Sequence, residues 1–318
     1  MKFRSEPKPL FLERMKKLLG NDMDEYLKIL EKPPINSIRC NTLKISPEEL
    51  KKRLEKKSWV IEQPFKENPE VMIIKSELGP GDIGRSLEHL LGYYYVQEIA
   101  SMLPVLALKP KPGELILDIA AAPGSKTTQI AAEMENTGTI IANDVSLPRL
   151  KILASNMERC GATNAILTKK DGIALCKRLK EQGFQFDKIL LDAPCSGEGT
   201  LRSSSATALM WNPKTIRSVS RLQKGLLESA IEILKKGGEL VYSTCTHAPE
   251  ENEGVIDFVL KKFDNIKIEK VNLPVKCRNG LTKWDGENYN KEVEKSCRIY
   301  PQDNNTEGFF IAKIRRVK

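Results

Sequence analysis

Long apolar runs are missing from this 318-residue sequence. The longest apolar stretch, Ile99 to Leu108, covers about 10 residues and is interrupted by Ser101 and Pro104, whereas a transmembrane helix needs about 20 apolar residues. The first residues, Met1 to Met15, also lack the continuous apolar core of a secretory signal. We therefore expect a cytoplasmic protein with no membrane partner.

Histidine is scarce as well, with only His89 and His247 in the whole chain. Two histidines exclude a His-rich metal site, and we expect no metal. The seven cysteines are an odd number without a close-paired framework. Without a secretory signal, this pattern predicts free thiols in a reducing compartment.

The charge is basic, with 51 Lys and Arg against 42 Asp and Glu, a net +9. Residues Met1 to Val60 hold 15 basic and 9 acidic residues, so that +6 of the excess lies there. This suggests a polyanionic partner, although a basic protein can simply be soluble. The region is rich in helix formers, with one strand-like segment, Ser37 to Leu43. We place a boundary near Gly92, which gives a small N-terminal α+β domain (1–92) and a second domain (93–318).

The second domain alternates short apolar strands with helices. The predicted strands are Glu114–Ile119, Thr139–Ala142, Ala165–Thr168, Lys188–Leu191 and Glu239–Ser243, followed by a final pair, Arg298–Tyr300 and Phe309–Ile314. This alternation predicts an α/β fold with a Rossmann-like, doubly wound, mostly parallel sheet. Ligands of such sheets bind beyond the carboxyl ends of the strands.

Small side chains follow the first predicted strand. The loop is Ala120, Ala121, Ala122, Pro123, Gly124, Ser125 and Lys126. Small residues let a ligand approach the backbone, and a glycine permits a tight turn into the next helix. A phosphate-binding P-loop would need glycines at 120 and 125, so that alternative is disfavoured. A strand–helix turn without a ligand stays open.

Acidic residues follow the next two strands. Asp144, 26 residues after Asp118, is suited to accept hydrogen bonds from the hydroxyls of a ribose. Asp171 is placed where it could bind the exocyclic amine of an adenine. The alternative for Asp171 is a helix N-cap or turn aspartate.

Cysteines follow both the fourth and the fifth strand: Asp192-Ala193-Pro194-Cys195 and Ser243-Thr244-Cys245. In the strand order usual for nucleoside-binding methyl-transfer domains, these strands are neighbours about 4.8 Å apart. Both thiols could then reach one ligand, although a lone cysteine is more often an inert core residue.

Two thiols beside a carboxylate suit methylation of cytosine at carbon 5. A thiolate that adds to carbon 6 makes carbon 5 nucleophilic, and Asp192 could assist at N3 and N4. A nearby cation such as Lys126 would favour the thiolate. His247 is a possible base, although a simple loop residue is preferred. The spacing does not decide whether Cys195 or Cys245 attacks.

Several long motifs resemble the Sun-type (NOL/NOP/Sun) RNA cytosine-5 methyltransferases. They are Asp118–Thr127, Asp192–Thr200, Ser243–Glu253, Arg39–Lys44, Tyr94–Glu98, Arg298–Pro301 and Thr306–Phe310, spread in the family's order over Pro33 to Lys313. The resemblance implies a class I S-adenosylmethionine-dependent methyltransferase fold with an antiparallel C-terminal strand. It also implies an N-terminal RNA-binding region (1–92) and a catalytic domain (93–318).

The resemblance assigns roles that the spacing leaves open. It implies that Ala120 to Lys126 bind S-adenosylmethionine, with Asp144 on the ribose and Arg149 near it. Asp171 would contact the adenine, and Asp192 would lie where cofactor and target meet. Cys245 would be the nucleophile, and Cys195 would assist breakdown of the covalent adduct.

The expected partner is tRNA or rRNA, held partly through its phosphates by the basic N-terminal region. The sequence leaves the oligomeric state open, and a monomer is plausible. Two other functions compete: a non-catalytic RNA-binding or assembly protein with a methyltransferase-like fold, and a nucleotide hydrolase. The intact cysteine pair disfavours the first, and the failed P-loop pattern disfavours the second.

Overall fold

The computed structural model describes residues 7–317. Lys2 and Arg4 of the basic N-terminal region lie outside this range. The chain divides into two compact units. We call residues 35–190 the continuous unit and residues 1–34 with 191–318 the discontinuous unit.

The discontinuous unit begins with two helices, α1 (Pro9–Leu19) and α2 (Met23–Leu30), joined by a 3-10 turn at Gly20–Asp22. Apolar side chains recur at helical spacing, as the sequence predicts. The buried residues are Phe11, Met15, Leu19, Met23, Tyr26 and Leu30, and they share one core with Trp211, Ile216, Ala248 and Tyr300. The two helices are therefore an integral part of the unit that also holds both site cysteines.

The continuous unit begins with a four-stranded antiparallel sheet. Its elements are β1 (Asn36–Cys40), α3 (Pro47–Glu55), β2 (Ile61–Glu62), β3 (Val71–Ile74), α4 (Asp82–Arg85), α5 (Leu87–Leu90) and β4 (Tyr94–Val96). The strand order is β2-β3-β1-β4, and Ile38, Leu50, Leu54, Met72 and Tyr94 are in its core. This is the expected small α+β domain. The division at residue 92 stays a prediction.

The rest of the continuous unit is the alternating βα region. Its elements are α6 (Ile99–Leu108), β5 (Leu115–Asp118), α7 (Ser125–Glu133), β6 (Thr139–Asn143), α8 (Leu147–Cys160), β7 (Ala165–Thr168), α9 (Gly172–Glu181) and β8 (Phe186–Asp192). These strands are parallel in the order β7-β6-β5-β8. The last two residues of β8, Leu191 and Asp192, belong to the discontinuous unit.

The discontinuous unit continues after β8. Its elements are a 3-10 turn (Glu198–Thr200), α10 (Ser205–Met210), α11 (Pro213–Glu232), β9 (Leu234–Thr244), α12 (Glu253–Lys262), β10 (Ile266–Glu269), β11 (Arg278–Asn279), β12 (Lys283–Trp284), β13 (Glu287–Asn288), a 3-10 turn (Lys291–Lys295), β14 (Cys297–Ile299), α13 (Pro301–Asn304) and β15 (Phe309–Arg316). Strand β15 is antiparallel to β9, with Phe310 opposite Thr244 and Arg315 opposite Glu239. The predicted mostly parallel sheet with an antiparallel C-terminal strand is thus confirmed.

The expectation that all cysteines are free thiols is wrong for one pair. Cys277 and Cys297 form a disulfide, and their Cα atoms lie 5.2 Å apart, within the usual range for such bonds. The pairing of β11 with β14 places Asn279 opposite Cys297 and so brings the two cysteines close. The other five cysteines are free.

Among residues 7–317, none of the helices combines the length and the apolar character of a membrane span. In the same range, no three His, Cys, Asp or Glu side chains lie close enough together to ligate a metal ion.

Candidate active site

Two cysteine thiols meet in the discontinuous unit. The Sγ atoms of Cys195 and Cys245 lie 3.0 Å apart, and both side chains are half-buried. The N–H of Ala193, just after β8, donates to the carbonyl of Ser243 in β9 over 2.8 Å. The N–H of Gly199 donates to the carbonyl of Cys245 over 2.9 Å. These bonds fix the two cysteine loops side by side.

Side chains next to the two cysteines join the same loops. The hydroxyl of Ser196 lies 2.8 Å from that of Thr246. Asp192 accepts a hydrogen bond of 2.7 Å from the hydroxyl of Ser243. The carboxylate that the sequence predicts for the site is therefore anchored beside the cysteine loops.

The environment of Cys195 favours its protonated form. The hydrogen bond with Cys245 raises the pKa of the Cys195 thiol well above its usual value, and burial raises it further. The negative charges of Glu251 and Asp192 act in the same direction. Either sulfur can be the donor in the contact between Cys195 and Cys245, so one sulfur of the pair can keep a proton while the other is a thiolate.

His247 is a core residue of this unit. Its ring stacks on Tyr300, with centroids 5.2 Å apart, and meets Tyr26 edge to face. Burial, together with the charge of Arg298, lowers the pKa of His247 to about 3. A histidine with so low a pKa is a poor base at neutral pH, which favours the simpler interpretation over a catalytic role.

The small-residue loop of the continuous unit connects β5 to α7. The N–H of Ala121 donates to the carbonyl of Asn143 over 2.7 Å. Gly124 has φ +104°, a backbone conformation that residues with a side chain rarely adopt. A Cβ there would also lie 2.7 Å from a methyl group of Leu153, so glycine is favoured. Within the described residues, no side chain caps α7. Its first-turn N–H groups are thus not used by a cap and suit an anionic group of a ligand.

Asp144 and Arg149 border this loop. Asp144 is 2% exposed. Its Oδ1 accepts from the N–H of Ser146 over 2.8 Å, and its Oδ2 lies 3.0 Å from Nη1 of Arg149. Arg149 also donates to the carbonyl of Ala122. The structure therefore brings together three residues that the resemblance assigns to cofactor binding.

Two other predicted residues have identifiable structural partners. Asp171 is exposed and caps α9, since its Oδ1 accepts from the N–H of Ala174 over 3.0 Å. This is the N-cap that the sequence left as an alternative, and an adenine contact stays a prediction. Lys126 is buried, and its Nζ donates to the hydroxyl of Ser101 over 2.9 Å. Its effect on a thiol also stays a prediction.

Arg39 in β1 supports the small-residue loop after β5, and the sequence indicated no role for it. Its buried guanidinium donates to the carbonyl of Ser125 over 2.6 Å, to the hydroxyl of Thr128 over 2.9 Å and to the side chain of Gln97. Burial lowers the pKa of Arg39 to about 10. The available signal was an arginine between two apolar residues of the strand, Ile38 and Cys40.

Comparisons with known proteins agree with these motifs. Residues 105–315 match the family model described as 16S rRNA methyltransferase RsmB/F. Residues 8–99 match the N-terminal domain of 16S rRNA methyltransferase RsmF.

Three relatives illustrate the match. The tRNA (cytosine(49)-C(5))-methyltransferase of Pyrococcus abyssi is 46% identical over 96% of this chain and 95% of its own length. The ribosomal RNA small subunit methyltransferase F of Aliivibrio salmonicida is 42% identical over 92% of this chain, which spans only 60% of that relative's length. The crystal structure of NSun6 from Pyrococcus horikoshii with SFG is 28% identical, has a TM-score of 0.83 and covers 98% of both chains.

The family model covers well over half of the chain, and the Pyrococcus abyssi relative matches almost all of it. The residues that match include both cysteine loops and the small-residue loop after β5. The chain therefore belongs to the RsmB/F family of methyltransferases, the Sun-type family that its motifs resemble.

Proposed function

We propose that this protein is an S-adenosylmethionine-dependent RNA methyltransferase that makes 5-methylcytosine in tRNA or rRNA. The observation that carries the proposal is the contact between Cys195 and Cys245, 3.0 Å apart, with Asp192 anchored beside them. The relatives named above act on tRNA cytosine C5 and on ribosomal RNA. The tRNA enzyme matches this chain over nearly its full length, which favours tRNA.

The residues after β5 and β6 fit S-adenosylmethionine. The uncapped start of α7 suits a carboxylate, and the buried acid Asp144 suits ribose hydroxyls. Arg149, hydrogen-bonded to Ala122, would hold the loop in a fixed position relative to Asp144. The relative solved with SFG, an analogue of S-adenosylmethionine, supports the same cofactor.

The first chemical task of the protein is to make carbon 5 of cytosine nucleophilic. The thiolate of Cys245 forms a bond to carbon 6, and the electron pair of the C5–C6 double bond moves into the ring. Asp192 would favour this addition by hydrogen bonding or proton donation at N3 and N4. Bound S-adenosylmethionine supplies the electrophilic methyl group that carbon 5 takes.

The second task is release of the methylated base. A base removes the C5 proton, the C5–C6 double bond forms again, and the thiolate of Cys245 leaves carbon 6. We assign Cys195 to this stage, because its environment keeps it protonated during the attack and its thiol contacts the leaving sulfur. When Cys245 becomes a thioether in the adduct, the hydrogen bond and charge of Cys245 that raise the pKa of Cys195 are removed. The Cys195 thiol can then release its proton to solvent, and the resulting thiolate takes the C5 proton as the C–H bond breaks.

A non-catalytic RNA-binding protein of the same fold is the alternative. Bisulfite sequencing of cellular RNA with and without the protein separates the two. The proposal predicts at least one cytidine in tRNA or rRNA that is protected from conversion only when the protein is present. An unchanged protection pattern in both RNA classes would favour the non-catalytic function. The proposed RNA substrates are consistent with the cytoplasmic location that the sequence predicts.

A further inference from the structure

Two buried polar residues near the cysteine pair contact none of the reacting atoms in the chemistry above. Gln223 lies in α11, and Glu251 lies in the turn between β9 and α12. Both side chains are 0% exposed. Burying an amide and a carboxyl away from water costs free energy unless their hydrogen bonds are satisfied, so the partners of both groups are informative.

The side-chain partners of Gln223 and Glu251 lie on both sides of Cys195. The Nε2 of Gln223 donates to the carbonyl of Pro194 over 2.8 Å. The same nitrogen donates to Oε2 of Glu251 over 2.9 Å. That carboxylate oxygen also accepts from the N–H of Ser196 over 3.0 Å. The peptide groups before and after Cys195 are therefore held by one connected pair of side chains.

This pair is itself firmly anchored. The hydroxyl of Tyr242 in β9 donates to the backbone carbonyl of Glu251 over 2.6 Å. The N–H of Glu251 donates to the carbonyl of Ala248 over 3.1 Å. On the far side of the loop, Ser196 is tied to Thr246, the neighbour of Cys245. The backbone of Cys195 is thus fixed relative to that of Cys245 from two directions.

Stability alone does not account for the choice of Glu251. Its second carboxylate oxygen, Oε1, has no hydrogen-bond partner among residues 7–317, and such a buried atom is a cost to folding. Burial raises the pKa of Glu251 to about 7, which reflects the same cost. Glu251 is unfavourable for folding, yet its carboxylate is hydrogen-bonded to the Cys195 loop. A functional role at that loop explains why a glutamate is present here.

We infer that Gln223 and Glu251 are positioning residues that hold the Cys195 thiol against Cys245 and thereby set the rate at which the methylated base is released. The inference rests on the proposed function for its catalytic consequence, while the positioning itself can be measured without RNA. We call the two residues the Cys195 clamp.

The first test measures the positioning in the free protein. The rate of alkylation by iodoacetamide is followed separately at Cys195 and Cys245 by peptide mass spectrometry. Gln223→Met removes both amide hydrogen bonds at nearly constant volume, so the ratio of Cys195 to Cys245 alkylation should rise several-fold.

Gln223→Asn, whose amide is too short to bridge both partners, is the second variant in case the first does not fold. Glu251→Gln keeps an acceptor for both donors and should preserve the ratio. The matched control is Glu250→Gln, which changes the adjacent carboxylate that pairs with Arg14.

The second test measures the catalytic consequence. In Gln223→Met and Gln223→Asn, turnover should fall on the order of tenfold to a hundredfold, as expected for a misplaced reacting group. Single-turnover methyl transfer to RNA should stay near the wild-type rate, and a protein–RNA adduct should accumulate, as in Cys195→Ala. A role in folding alone would lower both rates together.

The outcomes separate the two claims. A folded Gln223→Met or Gln223→Asn protein with the wild-type alkylation ratio and wild-type turnover overturns the clamp. If Cys195→Ala itself traps no adduct, the proposed chemistry of release fails. A raised alkylation ratio in the same experiment still supports the clamp.

Discussion

The Sγ atom of Cys195 lies 3.0 Å from the Sγ atom of Cys245, although 50 residues separate them in the chain. At this distance a hydrogen bond joins the two sulfur atoms, and either one can be the donor. The hydrogen bond, burial and nearby carboxylates raise the pKa of Cys195 and so favour its protonated form. A Cys195 that keeps its proton agrees with the later role proposed for it, after attack by Cys245.

Asp144→Ala should weaken binding of S-adenosylmethionine. Loss of a charged hydrogen-bond acceptor costs about 1–3 kcal/mol, which corresponds to a roughly five- to 150-fold rise in the dissociation constant. Isothermal titration calorimetry measures the change directly. Glu158→Ala, which removes an exposed acid of the same region, should leave affinity unchanged. Equal affinity of wild type and Asp144→Ala would remove Asp144 from the site.

Glu251→Gln should change how stability depends on pH. Burial raises the pKa of Glu251 from 4.5 to about 7, so between these values the folded state keeps a proton that the unfolded state releases. Wild-type stability therefore falls as pH rises through this window. Glutamine cannot ionise and lacks this pH dependence. The free energy of unfolding of the variant minus that of wild type should therefore increase by about 3 kcal/mol between pH 4.5 and pH 8. Urea denaturation at several pH values measures the difference. A difference that does not vary with pH would contradict the assignment.

Glu250→Gln is the control with the opposite sign. Burial alone would raise the pKa of Glu250, but the hydrogen bond and charge of Arg14 outweigh it and lower the pKa. The ionised carboxylate then adds stability above its unfolded pKa, and this contribution disappears as pH falls. The Glu250→Gln variant should therefore lose more stability relative to wild type at pH 8 than at low pH.

Helices α1 and α2, which lie within the basic region Met1 to Val60, are expected to contribute to RNA binding through exposed lysines. Lys16 and Lys28 are exposed, whereas Arg14 is paired with Glu250 and Lys17 with Asp285. Changing Lys16 and Lys28 to glutamine should lower RNA affinity. It should also reduce the slope of log affinity against log salt by about 0.7–0.9 for each RNA phosphate that the variant no longer neutralises.

Filter binding between about 50 and 200 mM salt measures that slope. Point substitutions are preferable to deleting residues 1–30, because the helices bury Phe11, Met15 and Tyr26 in the core with Trp211. Glu13→Gln, an acid-to-neutral change at an exposed position of the same helix, should not reduce the slope. An equal slope in wild type and the lysine variant would mean that Lys16 and Lys28 contact only solvent.

The strands were predictable because each is a short apolar run with a clear end. Ala165–Thr168 was predicted with the bounds that the structure has, and Glu114–Ile119 was one residue too long at each end. The sequence predicts a helix from Pro213 to Lys235, whereas α11 ends at Glu232, because β9 already begins at Leu234. Because the ends of these strands are clear, the candidate site residues that follow them could be identified from the sequence.

The supports of the site could not be predicted in this way. Gln223 and Glu251 form hydrogen bonds to the Cys195 loop from positions 29 and 55 residues away in the chain. An amphipathic helix pattern does not indicate such partners. The disulfide was missed because Cys277 and Cys297 depend on β11, a strand of two residues with no apolar run. Local patterns show where strands end, whereas these contacts depend on tertiary packing.

The most direct test of covalent catalysis compares Cys195→Ala and Cys245→Ala with radiolabelled RNA on one denaturing gel. We predict that Cys195→Ala accumulates a protein–RNA adduct, because attack by Cys245 is intact and release is impaired. Cys245→Ala should form no adduct and transfer no methyl group. An adduct in Cys245→Ala and none in Cys195→Ala would contradict the roles assigned to the two thiols. Full activity of both variants would contradict covalent catalysis itself.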